Sequence, residues 1–397
     1  MTEIDTIQKS AAWVFAIALV VRIGGVTLTT LTDINPDSGN DANGFASTAQ
    51  AYATGEFGIQ YFLNSLPSAY PTWGFFLSPF WHIPGPSRVY ARLGMAIVGA
   101  FAIYNIYLIV AHHVSRQAGA FAVAPLITLP SFVALHSVVL RDVAIICGLV
   151  YAVRLLSVPS RWPVSLRYIF VLFAVGIATL LRVENLPVYA AMAGTGIALW
   201  IIPKKYYRIT GLVGGLVAVA SYPIWIRMTR AVGILGPQEH PLEFLSFMRQ
   251  ARIREGGRTQ YLADIVLETP LDMLFYAPVS AVYFLFVPLP GMAEIPVDYI
   301  MTIESLVTIA FAIAAVFGVY ALWQRSPPLV GALLVGFVLF AVLYGIISTN
   351  VGTSVRQRQV LSWVLFVFGG IGVAERYHLQ FQWTTSEEEE EETMASD

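Results

Sequence analysis

The sequence predicts an all-α, polytopic transmembrane helix bundle of about ten spans, with re-entrant or juxtamembrane helices added. Two observations carry that prediction. Hydrophobic residues make up 57% of the 397 and charged residues only 12%, against roughly 25% charge in a soluble domain. The apolar residues also fall in runs long enough to cross a bilayer, and the mean hydropathy is +0.67.

The runs place spans near 11–31, 88–112, 118–136, 142–158, 167–183, 186–202, 209–226, 301–323, 328–348 and 359–375. The first is too long for a signal-peptide core and reads as a retained helix. Two further apolar segments, 71–84 and 273–290, are short or proline-rich. Residues 1–380 form the transmembrane domain, with outer loops at 32–70 and 227–272. Residues 381–397 hold six consecutive glutamates, Glu387 to Glu392, whose mutual repulsion predicts a disordered acidic tail.

Cytoplasmic loops collect Lys and Arg. With the N-terminus inside, the loops around Arg116, Arg161 with Arg167, and Lys204-Lys205 with Arg208 become cytoplasmic, and all three lysines lie inside. This predicts a multi-pass plasma-membrane protein with a cytoplasmic N-terminus. The prolines Pro278, Pro288 and Pro290 free backbone groups that hydrocarbon cannot satisfy, so 273–290 reads as re-entrant. Asn350 to Gln359 then lies outside, and the acidic tail is cytoplasmic.

Of the 23 basic residues, 20 are arginine, and ten of these fall on the outer face against the positive-inside rule. They are Arg141, Arg182, Arg227, Arg230, Arg249, Arg252, Arg254, Arg258, Arg356 and Arg358. Guanidinium binds phosphate bidentately and stays charged when partly desolvated, so this set suggests a phosphate ligand at the membrane surface. The bland alternative is pairing with carboxylates and snorkelling to the interface. Arg249, Arg252, Arg254 and Arg258 share the segment Phe247 to Tyr261 with Gly256-Gly257, which reads as a hinged basic lid. A net charge of −2 and the lack of a basic tract argue against a nucleic-acid partner.

Three carboxylates are candidates for chemistry. Asp41 follows the first span and begins an amphipathic stretch, so it is either a helix cap or a general base facing the lipid headgroups. Asp142 and Glu184 each stand beside an arginine, Arg141 and Arg182, at span ends. His136 has no second His or Cys at ligand spacing and reads as structural. A carboxylate-bound Mg2+ or Mn2+ stays open as a cofactor. The single cysteine, Cys147, allows no disulfide within the chain.

These segments resemble the C-fold (GT-C) membrane glycosyltransferases, which use polyprenyl-phosphate sugar donors. The likeness runs through Asp41-Ala42-Asn43-Gly44-Phe45, Tyr70-Pro71-Thr72-Trp73-Gly74, Arg88 to Arg92 and Val139-Leu140-Arg141-Asp142. It continues in Arg182-Val183-Glu184-Asn185, Phe284 to Pro290 and Asn350 to Arg358. Phe45 stands where Tyr is commoner in that family, and Asn43 leaves no paired Asp-Glu. The resemblance implies sugar transfer from a polyprenyl-phosphate-linked donor to a glycan, lipid or protein acceptor at the outer face. Asp41 would be the base and Asp142 a second carboxylate. The arginines would stabilise the departing phosphate. A lipid-linked polysaccharide polymerase or ligase, and a lipid-carrier flippase or transporter, are the alternatives.

Overall fold

The computed structural model describes residues 3–32, 41–66, 68–207, 230, 241–256, 259–267 and 269–377. The acidic tail, the loop aspartates Asp33 and Asp37, the expected span 209–226, Arg227 and Arg258 lie outside these residues. The described chain is helical, with no β-ladder beyond an isolated bridge between Gln260 and Asn350. Six helices are long and apolar enough to cross a membrane: Thr6–Leu31, Arg88–His113, Val164–Leu181, Pro296–Arg325, Pro327–Ile347 and Val351–Arg376.

In chain order, the long helix α1 (Glu3–Leu31) is followed by four short ones: α2 (Asp41–Ala53), α3 (Ile59–Ser65), α4 (Ala69–Leu77) and α5 (Pro79–His82). The bundle continues with α6 (Arg88–His113), α7 (Arg116–Thr128), α8 (Pro130–Leu135), α9 (Asp142–Ser157), α10 (Val164–Leu181) and α11 (Leu186–Ile201). After α12 (Pro241–Glu255) and α13 (Pro270–Phe286) come three long helices, α14 (Pro296–Arg325), α15 (Pro327–Ile347) and α16 (Val351–Tyr377).

Helix α16 is the axis. Of its apolar window 83% is buried inside the protein, against 22% for α14, so α16 faces protein all round while α14 turns most of its surface outward. Glycines let the two backbones touch: a Cβ on Gly318 or Gly372 would run into the main chain of the facing helix at Phe368 or Ala314. Lipid supplies no hydrophobic drive for helix association, so close backbone approach through small residues takes its place. Helix α16 also packs on α7, α9, α13 and α15, while α6 joins α1, α7 and α9 into the other half of the bundle.

Three sequence expectations change. The run 118–136 is two helices, because Pro130 has no N–H to continue the ladder and pushes Leu129 into extended backbone (φ −66°, ψ 123°). The break leaves the Leu126 carbonyl without its helical donor; Arg22 Nη2 donates to it at 3.2 Å. On the other side of the break, Ser131 N–H donates to Glu304 Oε1 at 2.7 Å. Two ionisable residues inside spans thus satisfy the backbone of one broken helix. The run 71–84 is likewise two helices, α4 and α5, separated by Ser78, with Pro79 opening the second.

The third change concerns the basic segment 247–261. It is helical through Glu255 and ends at Gly256, whose φ of 71° suits a glycine just past a helix C-terminus. Helix α13 is a single helix that does not turn back within its length. Its Met273 shares a hydrophobic cluster with Leu267 and Ile346, and Val287 just beyond it shares another with Tyr261, Val351 and Val355. Asn350 to Gln359, expected as a loop, is the junction plus the first turns of α16.

Replacing Gly318 by Leu drives a branched side chain into the α16 backbone, and overpacking of this kind costs about 3 kcal/mol or more. Gly176→Leu on α10, where a Cβ meets nothing within 4 Å, is the control. Thermal unfolding in detergent is expected to show a drop for the first variant and none for the second.

Candidate functional site

One end of the bundle collects the C-termini of α1, α10 and α15 and the N-termini of α2, α9, α11 and α16. Asp41 is the first residue of α2 and Asp142 the first of α9, positions where the helix dipole favours a carboxylate. Asp41 thus stands inside the first turn of its helix while its two oxygens meet side chains of other segments. Arg182 closes α10, and Val183–Asn185 make one 3-10 turn into α11.

Arg356, in the second turn of α16, joins these pieces. Its Nη1 donates to Asp41 Oδ2 at 2.5 Å and its Nε to Asp142 Oδ2 at 3.1 Å. The other Asp41 oxygen accepts from the Tyr70 hydroxyl at 2.5 Å. Asp142 Oδ1 lies 3.2 Å from Arg182 Nη2. Glu184 sits 3.5 Å from Arg182 Nε and 3.8 Å from Arg141 Nη2. Arg141 Nη1 also donates to the Leu181 carbonyl at the end of α10. Three guanidinium groups thus face three carboxylates.

The cluster is graded from mouth to interior. Side-chain exposure falls from 46% at Glu184 and 32% at Asp41, through 16% at Arg356, to 6% at Asp142 and 5% at Arg182. Beneath the charges, the Arg182 guanidinium lies 5.8 Å from the Tyr344 ring centre. The Tyr344 hydroxyl donates to Asn185 Oδ1 at 2.7 Å, and Asn185 Nδ2 donates to Tyr189 at 3.0 Å. Arg182 Nη1 and Arg141 Nε are buried with no hydrogen-bond acceptor, and Arg182 Nε has only the Glu184 carboxylate at 3.5 Å.

The walls are fixed by uncharged contacts. Trp73 Nε1 donates to the Val139 carbonyl at 2.8 Å, tying α4 to the strand-like lead into α9. Phe45 packs on the Tyr70 ring at 4.9 Å, and Gly44 leaves that ring its space, since a Cβ there would strike it. Arg88 donates to Asn43 at 2.7 Å and Arg92 to the Thr29 carbonyl at 3.2 Å. The first bond holds α2, and the second the end of α1, against the start of α6.

Burial pushes the Asp41 carboxyl up. The Tyr70 hydrogen bond and the Arg356 guanidinium outweigh it, and the group is held below the ordinary carboxylate range. Asp41 is therefore an anion at neutral pH whose two oxygens are already engaged.

Of the residues expected from sequence, Asp41, Asp142, Glu184, Arg141, Arg182 and Arg356 come together. Arg249 and Arg358 do not join them. Arg249 donates to the carbonyls of Ile346 at 2.8 Å, Ile265 at 3.3 Å and Leu262. Arg358 donates to Leu285 at 2.8 Å and Val287 at 2.6 Å. Both are buried and serve helix C-termini, the role cations fill there. Arg252 and Arg254 lie on α12 outside the cluster, and Arg254 is exposed. Tyr344 and Tyr189 belong to the site but gave no sequence signal, since an aromatic in an apolar run looks the same facing lipid. Among the described residues no three His, Cys, Asp or Glu gather as metal ligands, and Arg356 bridges the two aspartates a Mg2+ or Mn2+ would need.

Neither a family model, nor a curated protein, nor a solved structure matches the chain. The case for function rests on the cluster itself.

Asp142→Asn removes the carboxylate shared by Arg182 and Arg356 and leaves a buried cation short of its partner, at a cost on the order of 3 kcal/mol. The unfolding temperature is expected to fall, and Asp142→Glu to recover part of the loss. Glu184→Gln, at the exposed mouth, is expected to shift it little.

Proposed function

We propose that the chain is a C-fold membrane glycosyltransferase that moves a sugar from a polyprenyl-phosphate carrier to an acceptor hydroxyl at the outer face of the membrane. The supporting observation is a half-exposed carboxylate, Asp41, anchored by Tyr70 and Arg356 at the mouth of an arginine-lined polar site. Such a mouth, at the level where apolar helices end, meets a carrier whose chain lies in lipid and whose phosphate lies at the surface.

In this reading the acceptor oxygen attacks the anomeric carbon as the sugar–phosphate bond breaks. The bonding pair leaves on the phosphate, and the acceptor proton passes to Asp41. Negative charge grows on the leaving oxygen, where preorganised cations contribute most. The Arg141 and Arg182 guanidinium groups would supply those cations, with Arg141 Nε and Arg182 Nη1 still without an acceptor. Arg356 has a second part. A phosphate that draws its guanidinium away from Asp41 weakens the contact that lowers that carboxyl, so donor binding would make the base stronger where it is needed.

The proposed topology has ten crossings: nine from described helices (α1, α6, the α7–α8 pair, α9, α10, α11, α14, α15 and α16) and one expected from the sequence alone at 209–226. The site end is then outer. Lys9, Lys204, Lys205, Arg325 and Arg376 fall at the opposite, cytoplasmic end, as the positive-inside rule asks. A carrier flippase would need mobile charge inside the membrane. The membrane-level charges Arg22 and Glu304 are instead tied to the backbone of the broken helix.

The deciding experiment is transfer of radiolabel from a panel of polyprenyl-phosphate sugars by membranes carrying the wild type or Asp41→Asn. Transfer by the wild type is expected, with a fall of about 10²–10⁴-fold in the variant at equal expression. Full transfer by the variant would remove Asp41 as base. Binding of carrier phosphate without transfer from any donor would favour the polymerase or flippase reading.

The acid limb of the pH profile supplies a separate check. Asp41 works as the anion, and its carboxyl is held below the ordinary value of about 3.9. Activity is therefore expected to stay level from neutral pH down to about pH 4 and to fall below it. Tyr70→Phe deletes one of the lowering bonds, so its acid limb is expected to move to higher pH. An unmoved limb would detach Asp41 from the titration.

A further inference from the structure

The turn between α10 and α11 carries two members of the cluster, Arg182 and Glu184, within four residues. The chain leaves the helix at Arg182 (φ −152°, ψ 80°), and the turn closes where the Asn185 N–H donates to the Arg182 carbonyl at 3.1 Å. Glu184 stands at the exposed mouth, while Arg182 is 4% exposed and Asn185 0%. A single 3-10 turn, with the poorer hydrogen-bond geometry of that class, does little by itself to fix a guanidinium.

Tyr344, in the last turn of α15, meets both ends of this turn. Its ring centre lies 5.8 Å from the Arg182 guanidinium carbon, and its hydroxyl donates to Asn185 Oδ1 at 2.7 Å. Asn185 Nδ2 donates in its turn to the Tyr189 hydroxyl at 3.0 Å, in the first turn of α11. The Tyr344 ring is itself fixed, stacked on Phe340 at 4.2 Å and beside Phe284 at 6.0 Å. Tyr344, Asn185 and Tyr189 are all buried. Packing does not require their polar atoms, since replacing both partners of a buried hydrogen bond by apolar groups of the same shape is nearly neutral. What the bonds add is one allowed arrangement, because any other leaves an amide and a hydroxyl unmet in a low dielectric.

We propose that Tyr344 and Asn185 are positioning residues for Arg182. They hold the turn so that the guanidinium pairs with Asp142 at 3.2 Å while its Nη1 stays clear of every acceptor in the protein. That N–H is what an incoming phosphate oxygen meets. The inference rests on reading the site as one that binds a polyprenyl phosphate. Neither residue touches the reacting atoms. Both act through Arg182, on phosphate binding and on the charge that grows on the leaving oxygen, and not through Asp41.

The test is a double-mutant cycle on the purified full chain in detergent, read as affinity for polyprenyl phosphate carrying no sugar. Transfer from the matching sugar donor is the second readout. Tyr344→Phe keeps the ring beneath Arg182 and deletes only the bond to Asn185. It is expected to weaken carrier binding about tenfold and to lower kcat/KM by about 10–10²-fold, with the acid limb of the pH profile unmoved. In Arg182→Lys no guanidinium is left to position, so adding Tyr344→Phe is expected to cost little more, the non-additivity of groups that act through one another. Should Tyr344→Phe fail to fold, Tyr189→Phe, which unpins Asn185 from the α11 side, takes its place in the cycle with the same expectation. Unchanged binding in the variant, a lowered unfolding temperature with binding intact, or equal losses in both backgrounds would overturn the positioning role and leave the transferase reading standing. A wild type that binds the carrier but transfers no sugar would end the transferase reading, while the cycle on binding still decides the positioning role. A wild type that binds no polyprenyl phosphate would overturn both.

Discussion

The guanidinium of Arg356 is the joint on which this end of the bundle depends. It reaches across 315 residues of sequence to Asp41 and 214 to Asp142, and so links α16, the most enclosed helix, to a surface helix and to a buried one. Bringing three cations and three anions into a site this enclosed costs desolvation that only close, mutual pairing offsets. That condition dictates much of the surroundings. The helix N-termini present Asp41 and Asp142 with favourable dipoles, and the Tyr70 hydroxyl takes the remaining Asp41 oxygen. Tyr344, with Asn185 and Tyr189 behind it, floors the pocket beneath Arg182.

The same requirement explains why arginines counted alike in the sequence serve different ends. Helix α15 stops at Ile347 and α13 at Phe286 inside the protein, where water cannot reach their last carbonyls. Arg249 and Arg358 supply the missing donors, as five fixed N–H groups suit them to do. Arg141, Arg182 and Arg356 meet carboxylates instead, and Arg141 and Arg182 keep N–H groups without a hydrogen-bond acceptor. The presence of a carboxylate within reach thus separates the arginines of the cluster from those that serve backbone carbonyls alone.

Much of this could be read from the sequence, and the limits have physical causes. The long apolar helices and the polar ends at Asp41, Arg141-Asp142 and Arg182-Glu184 were legible because hydropathy and charge are local properties. The first turns of α16 were not. Ser354, Arg356, Gln357 and Gln359 depress the average over that window, although Ser354 meets Tyr261, Gln357 meets Ser348 and Arg356 meets the two aspartates. The break at Leu129 was signalled by Pro130 and overridden by the apolar run around it. Which carboxylate meets which arginine depends on packing between segments hundreds of residues apart, and no local pattern encodes that.

The helix break also has a consequence for how the chain is made. The Leu126 carbonyl that receives Arg22 lies 104 residues later in the sequence. When the first hydrophobic segment leaves the ribosome, its guanidinium has neither that acceptor nor His136. Until the seventh and eighth helices have been synthesised, a guanidinium at that depth costs about 2.5–3.5 kcal/mol, which the apolar residues around it must offset. The pairing of Arg22 is therefore a late event in the making of the bundle.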